Sequence, residues 1–483
     1  MIDVAFSNFQ ELDNGIPLAA GTNGQGFRVV KGNLYQDVGG STAPITVDGV
    51  GAGSAYHVPD VAFITTGSLI LRNQGVLQYT GAAAAALAKD FSIDGACGLR
   101  ATGGGTLTVA GIISESSAGA SLAVGGAGES FVLTANNTYT GPTYIPESTV
   151  SVSTLPNGGV AGPLGKSTAA PANLEIDGGV LRYTGATATT DRGFTVTESL
   201  ATIDVTTAAN NLTFTGQVVG IGALTKAGPG TLTLTNPNLT YANKTNVYAG
   251  KLALATNLTS SSSIYASGTL ELSTGGGSNR VIKTQSVATG NSTGKIDLKD
   301  NKLILTAQPV GSWNGSAYGG VTQLIQSGRN GGAWDGDGIV TSMTAATGGN
   351  TLTSLAVASN ADLGYATFGG VSVGATDTLV MYTYTGDANP DGVINGDDYF
   401  QIDSAFPQLL HGWMNGDFDY DGTINGDDYF LTDSNFSAQG APFPTSAGLA
   451  DSVTMVPEPA LALTAVAVII FAPQRRRRGR GPG

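Results

Sequence analysis

Leu224-Thr225-Lys226-Ala227-Gly228-Pro229-Gly230-Thr231-Leu232-Thr233-Leu234 is the stretch that decides the fold of the central part of this chain. From Thr231 to Thr235 threonine and leucine alternate strictly, a period of two that places Leu on one face of a strand and Thr on the other. Asn211-Leu212-Thr213-Phe214-Thr215 repeats the pattern. Gly and Asn pairs interrupt such runs every eight to twelve residues, and no helical period is sustained across 67–270. Short, uniform strands without helices either stack as a parallel β-helix or close as a sandwich.

Working outward, the region is duplicated. Gly75-Val76-Leu77-Gln78-Tyr79-Thr80-Gly81 returns as Gly179-Val180-Leu181-Arg182-Tyr183-Thr184-Gly185, and Phe91-Ser92-Ile93 as Phe194-Thr195-Val196. Tyr139-Thr140-Gly141-Pro142-Thr143 returns as Tyr241-Ala242-Asn243-Lys244-Thr245. Offsets held between 101 and 105 mark a repeated structural unit. Leu77, Leu181, Leu232 and Leu234 are expected inside, with the intervening Thr exposed.

The segment from Leu224 through Tyr241 to Gly250-Lys251-Leu252 resembles the autotransporter-associated β-strand repeat, and residues 128–145 carry a weaker copy. That resemblance implies a right-handed parallel β-helix in a surface protein. The expected fold is mainly β: an N-terminal β-rich segment (1–66), a β-helix-like region (67–270) and a second β-rich module (271–385). Within the last, Val321–Gln326 reads as a short helix, and Asp335 and Asp337 read as part of a Gly-rich turn before a third cation site. Thr and Asn ladders on the outer face of a β-helix would suit a surface glycan.

Near the C-terminus one loop is written twice, thirty residues apart. The copies begin at Asp387 and Asp417 and agree at 13 of 20 positions. Oxygen-bearing side chains fall at loop positions 1, 3, 5, 9 and 12, with Gly at 6, the spacing a hard cation needs to collect six to eight oxygens round one turn. Position 7 (Val393, Thr423) offers only its carbonyl, and the Ile at position 8 of both copies is expected to pack inward where the loops pair through a short strand. A short helix follows each loop, so each is half an EF-hand. The pair resembles the type I dockerin over about 386–437. That resemblance implies two Ca²⁺, one on Asp387, Asn389, Asp391, Val393, Asn395 and Asp398, the other on Asp417, Asp419, Asp421, Thr423, Asn425 and Asp428, and a cohesin-like partner. Gly396-Asp397 and Gly426-Asp427 stand where cellulosomal dockerins often carry the Ser/Thr pair that cohesin reads, so a cellulosomal partner is not implied. Eleven Asp and no Lys, Arg or Glu across 386–436 account for −11 of the formal net charge of −14. About fifty residues with that self-repulsion and no disulfide need bound cations to stay folded.

Residues 438–455 read as a flexible linker. Beyond it, Val456-Pro457-Glu458-Pro459 precedes the apolar run 460–472 and then Arg475-Arg476-Arg477-Arg478. Thirteen apolar residues make a helix of roughly 20 Å, short of a ~30 Å hydrocarbon core, so the run holds a membrane transiently while the arginines keep its end on the cytoplasmic side. The order resembles the PEP-CTERM sorting signal (456–483), which implies removal by an exosortase-type enzyme and an extracellular or cell-surface destination. Met1-Ile2-Asp3-Val4-Ala5-Phe6 has neither the basic nor the apolar part of a signal peptide, so export requires a leader upstream of Met1. An isolated basic cluster behind an apolar run on an acidic chain does not point to nucleic acid.

Catalytic constellations are missing from the sequence. The single cysteine, Cys97, has only His57 and His411 as prospective partners, and no Ser-His-Asp, CxxC or HExxH pattern occurs. The favoured reading is therefore a non-catalytic surface or matrix protein with a β-helical stalk and a calcium-dependent docking module. The alternative is a polysaccharide-degrading lyase or glycosidase carrying a dockerin. It needs two carboxylates about 5–10 Å apart, whereas Asp94, Asp177, Asp191 and Asp204 show no pairing.

Overall fold

The alternation becomes strands. Thr231–Leu234 buries Leu232 and Leu234 fully and leaves its threonines half-covered. Leu77 and Leu181 are buried in the same way. The threonines are less exposed than a lone strand would leave them, because coils above and below shield their flanks; Thr233 also donates to Asn211 Oδ1 at 2.9 Å. Leu212, Leu232, Leu252 and Leu270 stand in one row through successive parallel pairings. Burying each such leucine is worth about 1.5–3 kcal/mol, so the row holds the stack together.

The computed structural model describes residues 2–5, 27–31, 33–35, 45–48, 55–58, 67–274, 280–290, 293–445 and Gly479. The chain divides into two units, 1–447 and 448–483, and every described strand and helix belongs to the first. Four sheets of six, nine, ten and seven strands make up a β-solenoid in which the described strands pair in parallel. Five short strands lie within 1–66. Val456–Pro459, the run 460–472, Arg475–Arg478 and residues 446–455 of the linker lie outside the described residues.

The duplication is visible residue by residue. Ala96–Ala101 and Leu200–Val205 show the same order of burial along six residues. Yet the first lies in the nine-stranded sheet and the second in the ten-stranded one, so the second unit is advanced by one sheet as well as along the stack. Tyr139 and Tyr241 are both buried, with their hydroxyls 2.7 and 2.8 Å from Thr143 and Thr245.

Lys226 of the opening stretch is fully buried, and burial pushes its ammonium down to about 8. Its Nζ donates to the carbonyls of Ala227 (2.6 Å), Gly228 (2.7 Å) and Ala249 (3.2 Å), clamping the turn through Pro229 to the next coil. Lys226→Met should leave these carbonyls short of a donor and cost about 2–3 kcal/mol, measured as a lower urea midpoint.

Solenoid pairing runs on past residue 270: the seven-stranded sheet takes in Lys295–Asp297 and Gly338–Val340. The first helix, α1 (Gly320–Arg329), covers the expected Val321–Gln326. Asp335 and Asp337 accept from Asn330 (2.9 Å) and Ser327 (3.2 Å) as parts of a turn. A four-stranded sheet then ends the fold, with Thr378–Tyr384 antiparallel to both Lys302–Leu305 and Thr353–Ser359, the latter at its edge. After a short α2 (Asn360–Leu363), the repeated loops lead into α3 (Gly396–Ala405) and α4 (Gly426–Phe436).

Candidate metal centre

Each loop winds its backbone round its own carboxylates. Asp387 accepts from Asp391 N (3.1 Å) and Gly392 N (2.9 Å), and Asp417 accepts from Gly422 N (3.0 Å). Asp398 and Asp428, at position 12, reach back to the start of their loops. Asp398 accepts from Ala388 N (2.8 Å) and Asn395 N (2.7 Å), and Asp428 from Phe418 N (2.8 Å) and Asn425 N (3.0 Å). Asn395 and Asn425 cap α3 and α4 in capping boxes with these same aspartates, so the helix start and the loop closure are one device. Gly392 and Gly422 at position 6 have φ of 98° and 88°, the left-handed region that the sequence pattern reserves for Gly. The Ile394 and Ile424 side chains are buried as expected. The backbone of Ile394, however, bonds in both directions to the Gln439 side chain (2.7 and 2.8 Å), in place of the expected short strand.

Three of the predicted positions come together in the second loop. The carboxylates of Asp417, Asp419 and Asp421 lie with ligating oxygens within 4.8 Å of one another. The first loop has Asn389 at position 3, so positions 1, 3 and 5 there offer two carboxylates and an amide. Val393 and Thr423 donate their N–H to Asp391 (3.1 Å) and Asp421 (2.7 Å), which leaves their carbonyls for position 7.

The loops crowd buried carboxylates together. Burial, reinforced by neighbouring carboxylates, pushes Asp387 up to about 8, Asp398 to about 6, Asp417 to about 6 and Asp428 to about 7. Asp419 is raised for the same reason. Asn389 Oδ1 and Asp417 Oδ1 are buried with no hydrogen-bond donor, an expensive arrangement unless something positive meets them. Hard oxygens alone, on a flexible turn, suit Ca²⁺ better than a metal that prefers nitrogen or sulfur.

Side chains outside the repeat complete the loops, and sequence spacing gave no sign of them. Thr383 donates to Asp387 and Tyr318 to Asp417. Arg329 on α1 donates to Asp419 O (2.7 Å), and Gln326 to Tyr420 O (2.7 Å). Tyr420 itself has φ of 61° and sends its hydroxyl to Leu355 O on the edge strand (2.5 Å). The first loop has Pro390 there, whose ring forbids positive φ, so only the second loop can make that reach. Trp413, between the loops, donates to Asp387 O (2.7 Å), and Asn435 on α4 to Thr351 O and Thr385 O (2.8 and 2.9 Å). The loop–helix pair is thus seated on the terminal sheet. His411, named above only as a prospective partner of Cys97, is exposed and has Nδ1 2.7 Å from Gly422 O.

Comparison with known proteins bears on the solenoid. The family model of the passenger-associated-transport-repeat matches residues 128–147 and 224–254. These are the two stretches holding the buried Tyr139–Thr143 and Tyr241–Thr245 pairs. The chain is 37% identical over 270 residues to the Adhesin BmaC autotransporter of Brucella suis biovar 1 (strain 1330). That match takes in 52% of this chain and 8% of the relative, so the chain spans under a tenth of that protein's length. No solved structure matches. The chain therefore carries passenger-associated-transport repeats within its β-solenoid and is similar over 270 residues to an autotransporter adhesin.

Proposed function

We propose that this chain is a non-catalytic, exported surface protein: an adhesin-like β-solenoid whose C-terminal loop–helix pair binds two Ca²⁺ and serves as a docking module. The observation that carries this reading is the seating of the loop–helix pair, with three carboxylates converging in its second loop, on the end of a solenoid that carries passenger repeats. Calcium would be held by Asp387, Asn389, Asp391, Val393 O, Asn395 and Asp398, and by Asp417, Asp419, Asp421, Thr423 O, Asn425 and Asp428. It would cancel charge and crosslink the turn. Tyr399 on α3 donates to Asp433 on α4 and Tyr429 on α4 to Asp403 on α3, both at 2.7 Å, which makes the helix pair reciprocal. Phe400 and Phe430 stay 72% and 68% exposed, which supports this side as the place for a cohesin-like partner.

The carboxylates considered for hydrolysis favour the non-catalytic reading. Asp94 faces Arg72 (3.4 Å), Asp204 faces Arg182 (2.8 Å), Asp177 accepts from Tyr144 (2.9 Å) and Asp191 from Gly158 N (2.7 Å). Each braces a neighbouring coil or turn.

Sorting through the tail belongs to the same proposal. Arg475–Arg478 would hold the end on the cytoplasmic side while an exosortase-type enzyme cuts near Pro457-Glu458-Pro459. Replacing the four arginines with Gln should leave uncut precursor, and mass spectrometry of surface-extracted protein should find no peptides beyond Arg480 in the natural chain. Recovery of those peptides from most molecules would defeat the sorting reading.

A further inference from the structure

A cavity of about 410 Å³ opens beside the second loop, between the 310–318 segment, the end of the edge strand and residues 409–415. Its size lies in the lower part of the ~300–1,000 Å³ range of small-ligand sites. Thr322, Val357, Ala358 and Trp413 contribute buried surface to it. Trp313 lines it half-buried, and Leu409 and Leu410 line it exposed. Ser312, Ser359, Asp362 and Asn415 supply polar atoms.

We propose that this cavity binds a neutral hexopyranose unit of a glycan, and that calcium in the second loop holds it in shape. This rests on the calcium reading above and goes beyond it in naming a ligand and a place. Among the lining residues there is no Lys or Arg, and Asp362 is the one carboxylate. A phosphate, sulfate or uronate would meet a negative side chain with no Lys or Arg to offset it. A wholly apolar ligand would cover Asp362 and Ser312 without replacing their water. Asp362 is exposed and so too well screened to hold a cation, yet it can accept a hydroxyl's hydrogen bond. A pyranose ring matches what is left: a C–H face for the indole and hydroxyls for the polar rim.

The coupling is built into the walls. A Cβ on Gly422 would run into the Trp313 ring, so loop position 6 sits directly against that indole. Trp313 also packs on Tyr318 with ring centres 4.9 Å apart, and the Tyr318 hydroxyl joins Asp417 to Gly412 N (2.8 Å). His411 is held by Gly422 O. Loosening the second loop releases Trp313, Tyr318 and His411 together.

The test uses the full chain in millimolar calcium, titrated calorimetrically with cellobiose, maltose and lactose. Sialyllactose and tetramethylammonium are the anionic and cationic comparisons, and bound calcium is counted in the same samples. At least one neutral disaccharide should bind, at least tenfold more weakly after Trp313→Ala. Binding should also weaken after Asp362→Asn, an exposed change that leaves the fold intact, should be unaffected by Phe430→Ala, and should vanish on chelation. The inference is overturned if two calcium ions bind and no neutral disaccharide does, or if either charged probe binds in their place. It is equally overturned if binding ignores both Trp313 and Asp362. Saccharide binding that survives chelation overturns the coupling, and an absence of bound calcium defeats the calcium reading itself.

Discussion

Chelating calcium from the full chain should loosen its C-terminal end while the solenoid stays folded. The loops carry buried carboxylates that repel one another, and Asn389 Oδ1 and Asp417 Oδ1 have no donor. A cation at one hundred times its dissociation constant stabilises its site by about 2.7 kcal/mol, so two sites together contribute roughly 5 kcal/mol. That is a large share of what a domain has in total. All three tryptophans of the chain, Trp313, Trp334 and Trp413, lie in this C-terminal part. Trp413 bonds to Asp387 O and Trp313 rests on Gly422, so indole emission reports on the cap and not on the repeats. On adding chelator, emission should move to the red and the first thermal transition should fall, with the far-ultraviolet β signal retained. Asp417→Ala should reproduce about half of the loss, because it removes one site and the partner of Tyr318. Unchanged emission and an unchanged transition in excess chelator would show that the loops are ordinary Asp-rich turns.

The solenoid was legible because its physics is periodic. Alternation at Thr231–Thr235 fixes which side chains are inside, and the offset near 103 pairs Ala96–Ala101 with Leu200–Val205 in matching burial. The face on which a copy lies was not legible, since a coil may gain or lose a strand without disturbing the offset; here the second copy is one sheet further on. At the repeated loops the convergence of Asp417, Asp419 and Asp421 was readable because positions 1, 3 and 5 fall within one tight turn. Their supports were not. Tyr318, Arg329 and Thr383 come from segments whose only link to the loops is tertiary contact. A hint did exist in the mismatch of Pro390 and Tyr420 at the same loop position. Among 13 identities in 20 positions, that difference marks where the second loop turns toward the solenoid.

Period two makes a stronger demand than any single buried residue, and two neighbouring substitutions expose it. Leu232 and Thr233 are adjacent, on the same strand and in the same passenger repeat. Leu232 is completely buried between Leu212 and Leu252, whereas Thr233 is half-covered between Thr213 and Ala253. Leu232→Asp places a carboxylate in the leucine row, with no cationic side chain within that row to meet it. Lost burial and the cost of a desolvated charge together should exceed about 4 kcal/mol, enough to part the coils above and below. Thr233→Asp removes one hydroxyl bond to Asn211 and leaves the new carboxylate in reach of water, at a cost of about 1 kcal/mol. The measurement is the urea midpoint of each variant by far-ultraviolet circular dichroism. Leu232→Asp should be unfolded or aggregated where Thr233→Asp remains close to the natural chain. Equal losses at the two positions would mean that both face an interior, and the strand would then have to be covered on both sides, as in a parallel sheet between two helix layers, instead of lining one wall of a solenoid.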